Sequence, residues 1–546
     1  MKKVKKRLHS RKLLCMICAL GILASALTGC AKEETNSSKN PPKESAAAST
    51  VSASAAGEEA SPVDLSEKAN LVLYVTGGEP DFFGKIQDKL NELTQRDLNC
   101  TVEYNFFNSA DNQQKYMLLL SSGEPVDLLY SGNWLNYSSN ANKGAFLELD
   151  DLVPQSSPKI WDYVGESGWQ AAKVNDKIYM IPCMWKEYNL FGFTYREDLR
   201  EQYDLPMPDS IQNVEAYLQG IRDNEPDMTP TAENVQASAV ANLGNYFGAI
   251  EVLDMKYRWI DWRMPYGLYI DYDNPTDTYY YWESDNFRED MKLMKKWADA
   301  GFWSKNALSD TTDPKDKLLA GNAAAQIGRS GYGAGITYTE EAQQNDPNTK
   351  MVFNTVPYSY AKNQAIAVHP TQNGISIPIS AQNPERAIAF WEQVLFNEEY
   401  NHLIMYGIEG EDYNNADGIY EKIPGGYNRE SSRLWSARTE AMVLPEGNWT
   451  LTQPYKDQFA KMEGPNKMGG FVEDQTPYQA ERAAVMNVVS QYLVPIQSGL
   501  VEDVDAAVDE LLDQADKAGI KHLHEEYLKQ WTAYVEANNN WEGWKP

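Results

Sequence analysis

Residues 71–130 alternate strand-like and helix-like patterns, and this alternation constrains the fold more than any other feature of the chain. The stretch 71–75 has the apolar character of a buried strand, and a Gly-Gly-Glu-Pro-Asp turn leads from it into apolar residues at helical spacing. A strand at 101–107, a helix through 116–120 and a strand at 127–130 follow. Strands that alternate with helices predict an α/β fold with a mainly parallel sheet.

The rest of the chain predicts more than one domain. A chain of 546 residues exceeds what one hydrophobic core usually supports, so two or three domains are expected. Asn383 and Pro384 have the features of a helix start, which repeats the α/β pattern late in the sequence. After Thr476 the pattern predicts three helices: one that starts at Thr476-Pro477, one that Gly519 ends, and one that runs to about Glu536.

The first thirty residues have the features of a secretory signal. Residues 1–12 carry seven Lys or Arg and no acid, and the uncharged run 13–28 is short for a membrane span. The run ends in Leu-Thr-Gly before Cys30, a sequence that resembles a bacterial lipobox. The resemblance implies a signal peptide at 1–29, cleavage before Cys30, and lipidation of its sulfur at the extracytoplasmic face of the cell membrane. The alternative is an ordinary secretory signal followed by a chance cysteine.

Composition limits the partners and the compartment. Residues 30–65 are poor in large apolar side chains, which predicts a disordered tether after the anchor. The formal net charge of −29 becomes more negative still when the basic signal is removed. Such a chain is repelled by nucleic acid and by anionic lipid surfaces, so we expect no nucleic-acid partner and membrane attachment through the lipid only. Cys100 and Cys183 then remain, either as one disulfide or as two unpaired buried thiols.

Several segments, in order, carry a resemblance to a known family. They are LVLYVTGGEPDFFGKIQDKLNEL, LLLSSGEPVDLLYSGNW, NKGAFLELDDLV, DKIYMIPCMWKEYNLFGFTYREDL, NAAAQIGRSG and NGISIPISAQNPERAIAFWEQVL. Together they resemble the extracellular solute-binding proteins of group one, the maltodextrin-binding type, and most of all its large Gram-positive lipoproteins. The resemblance implies a two-lobed periplasmic-binding-protein-like fold of type II. The implied division is a first lobe at 66–185 and 355–400 and a second at 186–354 and 401–546, with C-terminal helices.

Aromatic side chains are the candidate ligand-binding groups. Sugars present flat C–H faces ringed by hydroxyls, so a sugar site needs aromatic platforms with planar polar groups nearby. The chain has 15 Trp and 33 Tyr, several of them in predicted loops after strands. Core packing is the competing interpretation for each of them, and helix capping is the competing interpretation for the two acids. The candidates are Glu79, Asp81, Trp134, Tyr137, Trp185, Tyr188, Trp259, Trp262 and Tyr332.

Other chemistries find little support. The glycine-rich stretch 328–335 matches neither a phosphate loop nor a dinucleotide motif, and no GxSxG or HExxH motif occurs. A calcium loop that begins at Asp271 would place Trp282 where a bidentate carboxylate is required. We therefore expect neither a metal nor a cofactor. Paired carboxylates for glycoside cleavage carry no information among 78 acids.

The sequence thus predicts a non-enzymatic binding subunit of an ABC importer. It would act as a monomer, bind an oligosaccharide between two lobes and deliver it to the permease subunits. A secreted lipoprotein glycoside hydrolase or lyase, and a surface glycan-binding protein that feeds no transporter, remain the alternatives.

Overall fold

The computed structural model describes residues 63–538, except 108–111, 189, 233–256, 260–265, 272–273, 311, 331–337, 340, 344, 356–364, 417, 424, 428–434, 445–455, 458, 465, 468 and 472. Its strands in chain order are β1 (Ala69–Thr76), β2 (Cys100–Phe107), β3 (Leu128–Ser131), β4 (Lys173–Val174), β5 (Lys177–Ile178), β6 (Ile181–Pro182), β7 (Leu190–Arg196), β8 (Tyr257–Trp259), β9 (Leu268–Asp271), β10 (Thr278–Tyr280), β11 (Ala325–Ser330), β12 (Met351–Thr355), β13 (Ala365–Ile366), β14 (Gly374–Ser376), β15 (Tyr413–Ala416), β16 (Ile419–Lys422) and β17 (Glu463–Gly464).

The described α-helices in chain order are α1 (Phe83–Leu98), α2 (Asn112–Ser122), α3 (Tyr137–Asn142), α4 (Leu152–Ser156), α5 (Pro158–Ala172), α6 (Glu197–Gln202), α7 (Ile211–Asn224), α8 (Asp285–Asp299), α9 (Pro314–Leu319), α10 (Pro384–Phe396), α11 (Glu398–Tyr406), α12 (Gln479–Val488), α13 (Val494–Gln497), α14 (Val504–Lys517) and α15 (Ile520–Ala537). None of the helices in this part of the chain has the length and apolar character that crossing a membrane requires.

A five-stranded sheet lies at the centre of the first hydrophobic core. Its strand order is β2-β1-β3-β14-β6; β1 is parallel to β2 and β3, while β14 is antiparallel to β3 and β6. The α/β alternation predicted for 71–130 is confirmed, because the strands and helices fall where the apolar periodicity placed them.

The two helices beside this sheet show why the periodicity was informative. Helix α1 buries one face at i, i+3 and i+4 spacing and ends where Asn99 takes a left-handed conformation with φ of 46°. Helix α10 begins with Pro384 in its first turn, as predicted, and buries Ile388, Trp391 and Val394.

A second hydrophobic core combines antiparallel strands with the C-terminal helices. The three-stranded sheets β11-β7-β12 and β10-β9-β8 are both antiparallel. Helices α7, α8 and α12–α15 contribute most of the remaining side chains of this core. This part of the chain therefore has a different sheet type from the first core.

The predicted long helix after Thr476 is interrupted in the structure. It begins as a 3-10 turn at Thr476–Tyr478, continues as α12, becomes a π-helix at Val489–Leu493 and ends as α13. Pro495 lacks an N–H group, so the regular hydrogen-bond ladder cannot continue through it. The other two predicted helices correspond to α14 and α15, and Gly519 with φ of 87° separates them.

The two cores divide the chain unequally. The first takes its buried residues from 63–181 and 375–437, and the second takes them from 193–325 and 478–535. The buried residues that the structure describes between Leu403 and Ala437 therefore pack with the first core, although the sequence assigned this stretch to the second lobe. The lobe boundaries themselves stay a prediction.

The two cysteines that follow the signal region are buried free thiols. Cys100 lies in β2, and Cys183 follows β6. Of the two alternatives left open by the sequence, the structure has the unpaired thiols. Burial raises the pKa of Cys100 to about 11 and also raises the pKa of Cys183.

Candidate functional site

The carboxyl ends of β1 and β3 lie at one edge of the five-stranded sheet. Because the two strands are parallel neighbours, the loops that follow them, 77–82 and 132–136, emerge at the same edge. Open α/β sheets bind their ligands beyond the carboxyl ends of the strands. This edge is therefore the expected position of a binding site.

Trp134 lies in a 3-10 turn, Asn133–Leu135, directly after β3. Its side chain is half-buried, and its ring centroid lies 6.0 Å from that of Tyr130. A Cβ atom on Gly132 would lie 2.4 Å from the carbonyl oxygen of Gln372 and 2.9 Å from Trp134 Nε1. Glycine at position 132 therefore lets the indole and the Gln372 backbone approach closely.

Trp185 lies in the segment 183–188, where the chain passes from the first core towards the second. Its half-buried ring has two cations against it: Lys456 Nζ is 4.2 Å and Arg438 Cζ is 5.8 Å from the ring centroid. Contacts of this length attract a cation to an aromatic ring. The two cations therefore help to fix the orientation of the Trp185 ring.

Both of these cations are paired with carboxylates. Arg438 Nη2 lies 3.1 Å from Glu187 Oε2, and Lys456 Nζ lies 3.2 Å from Glu440 Oε1. The positive charge at the Trp185 ring is thus compensated within the protein itself. Among the described residues, each of the two cations against the Trp185 ring therefore has a carboxylate partner.

Tyr188 is a buried junction between chain segments. Its hydroxyl donates to Glu463 Oε2 at 2.6 Å, and Lys186 Nζ lies 2.9 Å from the same oxygen. The Tyr188 ring packs in a small cluster with Phe353 and Phe459. Tyr188 therefore joins the segments that connect the two cores. Its ring is fully buried.

Asn373 brings the Trp134 and Trp185 segments together. Its side-chain oxygen accepts a hydrogen bond from the Tyr130 hydroxyl at 2.5 Å, and Tyr130 in turn contacts the Trp134 ring. Its backbone carbonyl accepts from the amide of Cys183 at 2.9 Å, two residues before Trp185. One asparagine thus positions both predicted aromatic platforms.

A second chain of hydrogen bonds reaches the segment that leads to the C-terminal helices. His369 Nδ1 lies 2.7 Å from Thr371 Oγ1, which donates to Asn133 Oδ1 at 2.9 Å. The Asn133 amide donates to the carbonyl of Gly469 at 3.2 Å. Burial lowers the pKa of His369 to about 4, so its imidazole is neutral at pH 7.

Tyr137 lies in the first hydrophobic core. It begins α3, is 1% exposed and donates from its hydroxyl to the carbonyl of Ala172 at 2.6 Å. The helix turns the side chain inward, while Trp134 only three residues earlier stays half-buried. The competing interpretation, core packing, describes the position of Tyr137.

Glu79 and Asp81 are exposed on the loop after β1, at the same edge as Trp134. Helix α1 has Phe82 at its N-cap position with no side-chain cap, so the capping alternative does not account for either acid.

The second-lobe candidates contribute less. Trp259 lies in β8, and its side chain is outside the described residues. Trp262 and Tyr332 both lie outside the described residues. The structure therefore describes the side chains of Trp134 and Trp185 but not those of these three residues, and the binding role of all five stays a prediction.

Sequence reasoning missed most of the groups that position the platforms. Arg438, Lys456, Glu463 and Asn373 lie between 188 and 278 residues from Trp185 along the chain. No local pattern links them to it, and only the covariation of paired positions between relatives could have done so. Across the described ranges, no three His, Cys, Asp or Glu side chains form a group that could hold a metal ion.

Comparison with known proteins adds two family matches. A family model described as bacterial extracellular solute-binding protein matches residues 77–399. A second, described as a domain of unknown function (DUF3502), matches residues 467–536, which include α12–α15 up to position 536. A carbohydrate ABC transporter substrate-binding protein of Streptococcus pneumoniae serotype 4 is 22% identical over 489 residues, covering 88% of this chain and 94% of that protein.

Solved structures show the same fold. The N-glycan transport solute-binding protein NgtS of S. pneumoniae has a TM-score of 0.69 at 19% identity, covering 86% of this chain and 99% of that chain. The same protein in complex with Man5GlcNAc has a TM-score of 0.64 at 18% identity, again covering 86% of this chain and 99% of that chain. A solute-binding protein described as HMO-binding, from Bifidobacterium longum infantis, has a TM-score of 0.59 at 16% identity, with 86% and 99% covered. The predicted periplasmic-binding-protein-like fold is therefore confirmed.

Proposed function

The chain belongs to the bacterial extracellular solute-binding proteins, as its sequence segments predicted, and we propose that it binds a neutral oligosaccharide and delivers it to an ABC importer. The observation that carries the proposal is the placement of Trp134 and Trp185. Both rings are half-buried, and Asn373 bonds to a neighbour of each. Its side chain accepts from Tyr130, which contacts the Trp134 ring, and its carbonyl accepts from the Cys183 amide, two residues before Trp185. A half-buried indole offers one face to the C–H surface of a sugar ring.

The charge around the platforms supports a neutral ligand. Arg438 and Lys456, the cations against Trp185, are each paired with a carboxylate. An anionic sugar would have to compete with Glu187 and Glu440 for these cations, which costs the energy of breaking each pair. Hydroxyl groups can instead accept from and donate to the paired groups without displacing them.

The relatives support the ligand class. One protein of similar sequence is described as a carbohydrate ABC transporter substrate-binding protein, and one protein of the same fold was solved with Man5GlcNAc. We propose an oligosaccharide for this chain on the same ground, with the permease subunits as its protein partners. The predicted monomeric state is part of the proposal.

We propose that binding closes two lobes around the sugar. Three stretches connect the two cores: 183–188, 365–373 and the described parts of 435–464. The Glu463 carboxylate accepts a hydrogen bond from Tyr188, and the Asn373 backbone carbonyl accepts one from the Cys183 amide. A ligand that touches both sides shifts the equilibrium towards a closed form only through its greater affinity for that form. The Trp185 segment is suited to this role because it lies between the cores.

We also propose that the chain is anchored outside the cell membrane through Cys30. The basic residues 1–12, the uncharged run 13–28 and the small residues before Cys30 support this anchoring. Mass spectrometry of the membrane-extracted protein would test it. A diacylglycerol on the Cys30 sulfur is expected, and an unmodified Cys30 or a cleavage site elsewhere would contradict it.

The test of the ligand is a binding screen with the purified protein. Man5GlcNAc, neutral (unsialylated) human-milk oligosaccharides and maltodextrins serve as neutral probes, and alginate oligomers as acidic ones. A probe at a hundred times its dissociation constant should stabilise the protein by about 2.7 kcal/mol in thermal unfolding. We expect a saturable shift with a neutral probe that is recovered intact. Cleaved sugar would support a hydrolase instead, and a response confined to alginate would overturn the neutral class.

Two substitutions test the site. Trp134→Ala and Trp185→Ala should each weaken binding of the responding probe roughly tenfold, because each removes one stacking face. The matched control is Trp161→Ala, which removes another half-buried tryptophan, one that stacks on Trp169 at a centroid distance of 4.8 Å. It should lower the unfolding temperature and leave the affinity unchanged. Normal affinity in both site variants would refute the assignment.

A further inference from the structure

Phe82 has an exposed ring on a strained backbone. It is 59% exposed, and its φ of 63° and ψ of 11° lie in the left-handed region. A bulky side chain is disfavoured there, and such strain costs of order 1–3 kcal/mol. Asparagine or glycine at this position would serve the chain turn with less strain.

The hydrophobic core does not account for Phe82. The next residue, Phe83, is 4% exposed and packs with Tyr104, Phe106 and Tyr427. Phe83 therefore supplies the aromatic contact with the core at this end of α1. Phe82 points to the surface, where its ring adds nothing to that packing.

Phe82 lines a pocket between α1 and the segment that includes the hairpin β15-β16. The other lining residues are Lys85, Glu411, Asp412, Gly425 and Gly426. Lys85 Nζ and Glu411 Oε2 form an exposed ion pair at 3.2 Å beside the ring. The pocket thus has an aromatic face, one cationic donor and one carboxylate acceptor.

The wall opposite the ring is fixed by Asp412. This buried carboxylate accepts from the amides of Ile408 and Tyr427, each at 2.8 Å. A Cβ atom on Gly426 would lie 2.8 Å from Asp412 Cα, so position 426 has no room for a side chain. The pocket is therefore held open by a rigid, side-chain-free segment.

We infer that Phe82 is a stacking platform for one sugar ring of the transported oligosaccharide, with Lys85 and Glu411 binding the hydroxyl groups of that ring. The pocket shares no residue with the Trp134 and Trp185 surface, but it follows β1 at the edge where Trp134 follows β3. It is an additional subsite for a ligand that extends along this edge. The inference rests on the proposed function.

The test uses Phe82→Asn in the full-length purified protein. Asparagine tolerates the left-handed conformation and removes the ring. Affinity for the neutral probe that binds the unchanged protein, with Man5GlcNAc tried first, should fall roughly tenfold in calorimetry. The unfolding temperature should not fall, because the lost side chain is mostly exposed, and relief of the backbone strain should raise it slightly.

Two further variants separate stacking from a general surface effect. Phe82→Tyr keeps an aromatic ring and should retain affinity within about twofold. Met207→Asn removes a side chain that is 52% exposed in the loop before α7, and it should leave affinity unchanged. Unchanged affinity in Phe82→Asn would overturn the inference and leave the proposed function intact. Failure of the unchanged protein to bind any of the sugars would overturn both.

Discussion

The two hydrophobic cores bury their polar groups in different ways. In the first core, the guanidinium of Arg386 is 7% exposed and donates to backbone carbonyl oxygens at positions 64, 67, 98 and 99. In the second, Asp290 accepts from the Tyr281 hydroxyl at 2.5 Å, and His524 Nε2 lies 2.8 Å from the carbonyl of Tyr266. The first core thus holds a buried arginine, while the second holds an aspartate and a histidine whose pKa values burial shifts to about 6 and about 4.

This difference predicts how the stability of each core should change with pH. An arginine stays protonated at any accessible pH, so its bonds to the backbone are constant. Asp290 has its pKa raised by burial to about 6, and His524 has its pKa lowered by burial to about 4. The second core should therefore carry a pH dependence of stability to which Arg386 contributes nothing.

The largest expected effect is the loss of Arg386. Arg386→Met should lower the free energy of unfolding by about 3–5 kcal/mol, because several buried carbonyl oxygens lose their donor together. Urea unfolding would measure it. Arg288→Met is the matched control: that arginine pairs with Asp505 and Asp509 at the surface and should cost less than about 1 kcal/mol. Equal costs for the two variants would show that burial of the Arg386 charge has no special role.

Asp290→Asn should stabilise the protein at pH 7. The folded-state pKa of about 6 exceeds the ordinary value of 3.8, so the folded state holds more protons between these values. Wild-type stability from this group therefore rises as pH falls from 7 to 4, and an amide removes that dependence. The gain at pH 7 should be roughly 1–3 kcal/mol and should shrink to nothing near pH 4. Thermal unfolding across this range measures it, and a gain independent of pH would contradict the assignment.

The contribution of His524 to stability should depend on pH in the opposite direction to that of Asp290, and His524→Gln should change the free energy of unfolding less. The folded-state pKa of about 4 lies below the ordinary 6.5, so the unfolded state holds more protons between them. Wild-type stability from His524 is therefore complete above pH 6.5 and falls as pH drops towards 4. Between pH 7 and pH 5, the free energy of unfolding of the variant should fall by about 1–2 kcal/mol less than that of the wild type.

Local patterns were enough to predict most of the regular structure. Helix α1 and strands β1–β3 were predicted from the spacing of their apolar residues, because this spacing involves only residues that are near one another in sequence. The interruption of the helix after Thr476 was missed, although Pro495 signalled it. The packing of the described buried residues between Leu403 and Ala437 into the first core depends on tertiary contacts that no local pattern signals.

The candidate site shows the limit of the same reasoning. Trp134 and Tyr137 are three residues apart in similar polar surroundings, and only the start of α3 decides that Tyr137 faces the core. The sequence pointed to the acids Glu79 and Asp81 but not to Phe82, the aromatic residue next to them. The left-handed backbone of Phe82 cannot be predicted from composition. Trp185 stays a predicted platform that was chosen for its place in the chain. The cations against its ring, Arg438 and Lys456, are too distant in sequence for a local pattern to connect them with it.

The two buried thiols have a practical consequence for following ligand binding by fluorescence. Thiol-reactive dyes need an accessible thiolate, and Cys100 and Cys183 are both buried with raised pKa values. In a form of the protein that begins after Cys30, these are the remaining cysteines. A single cysteine introduced at the exposed position of Lys143, at the end of the helix that follows Trp134, would meet an ordinary backbone φ of −83°. It would then take up a dye alone and report sugar binding without removal of the native thiols.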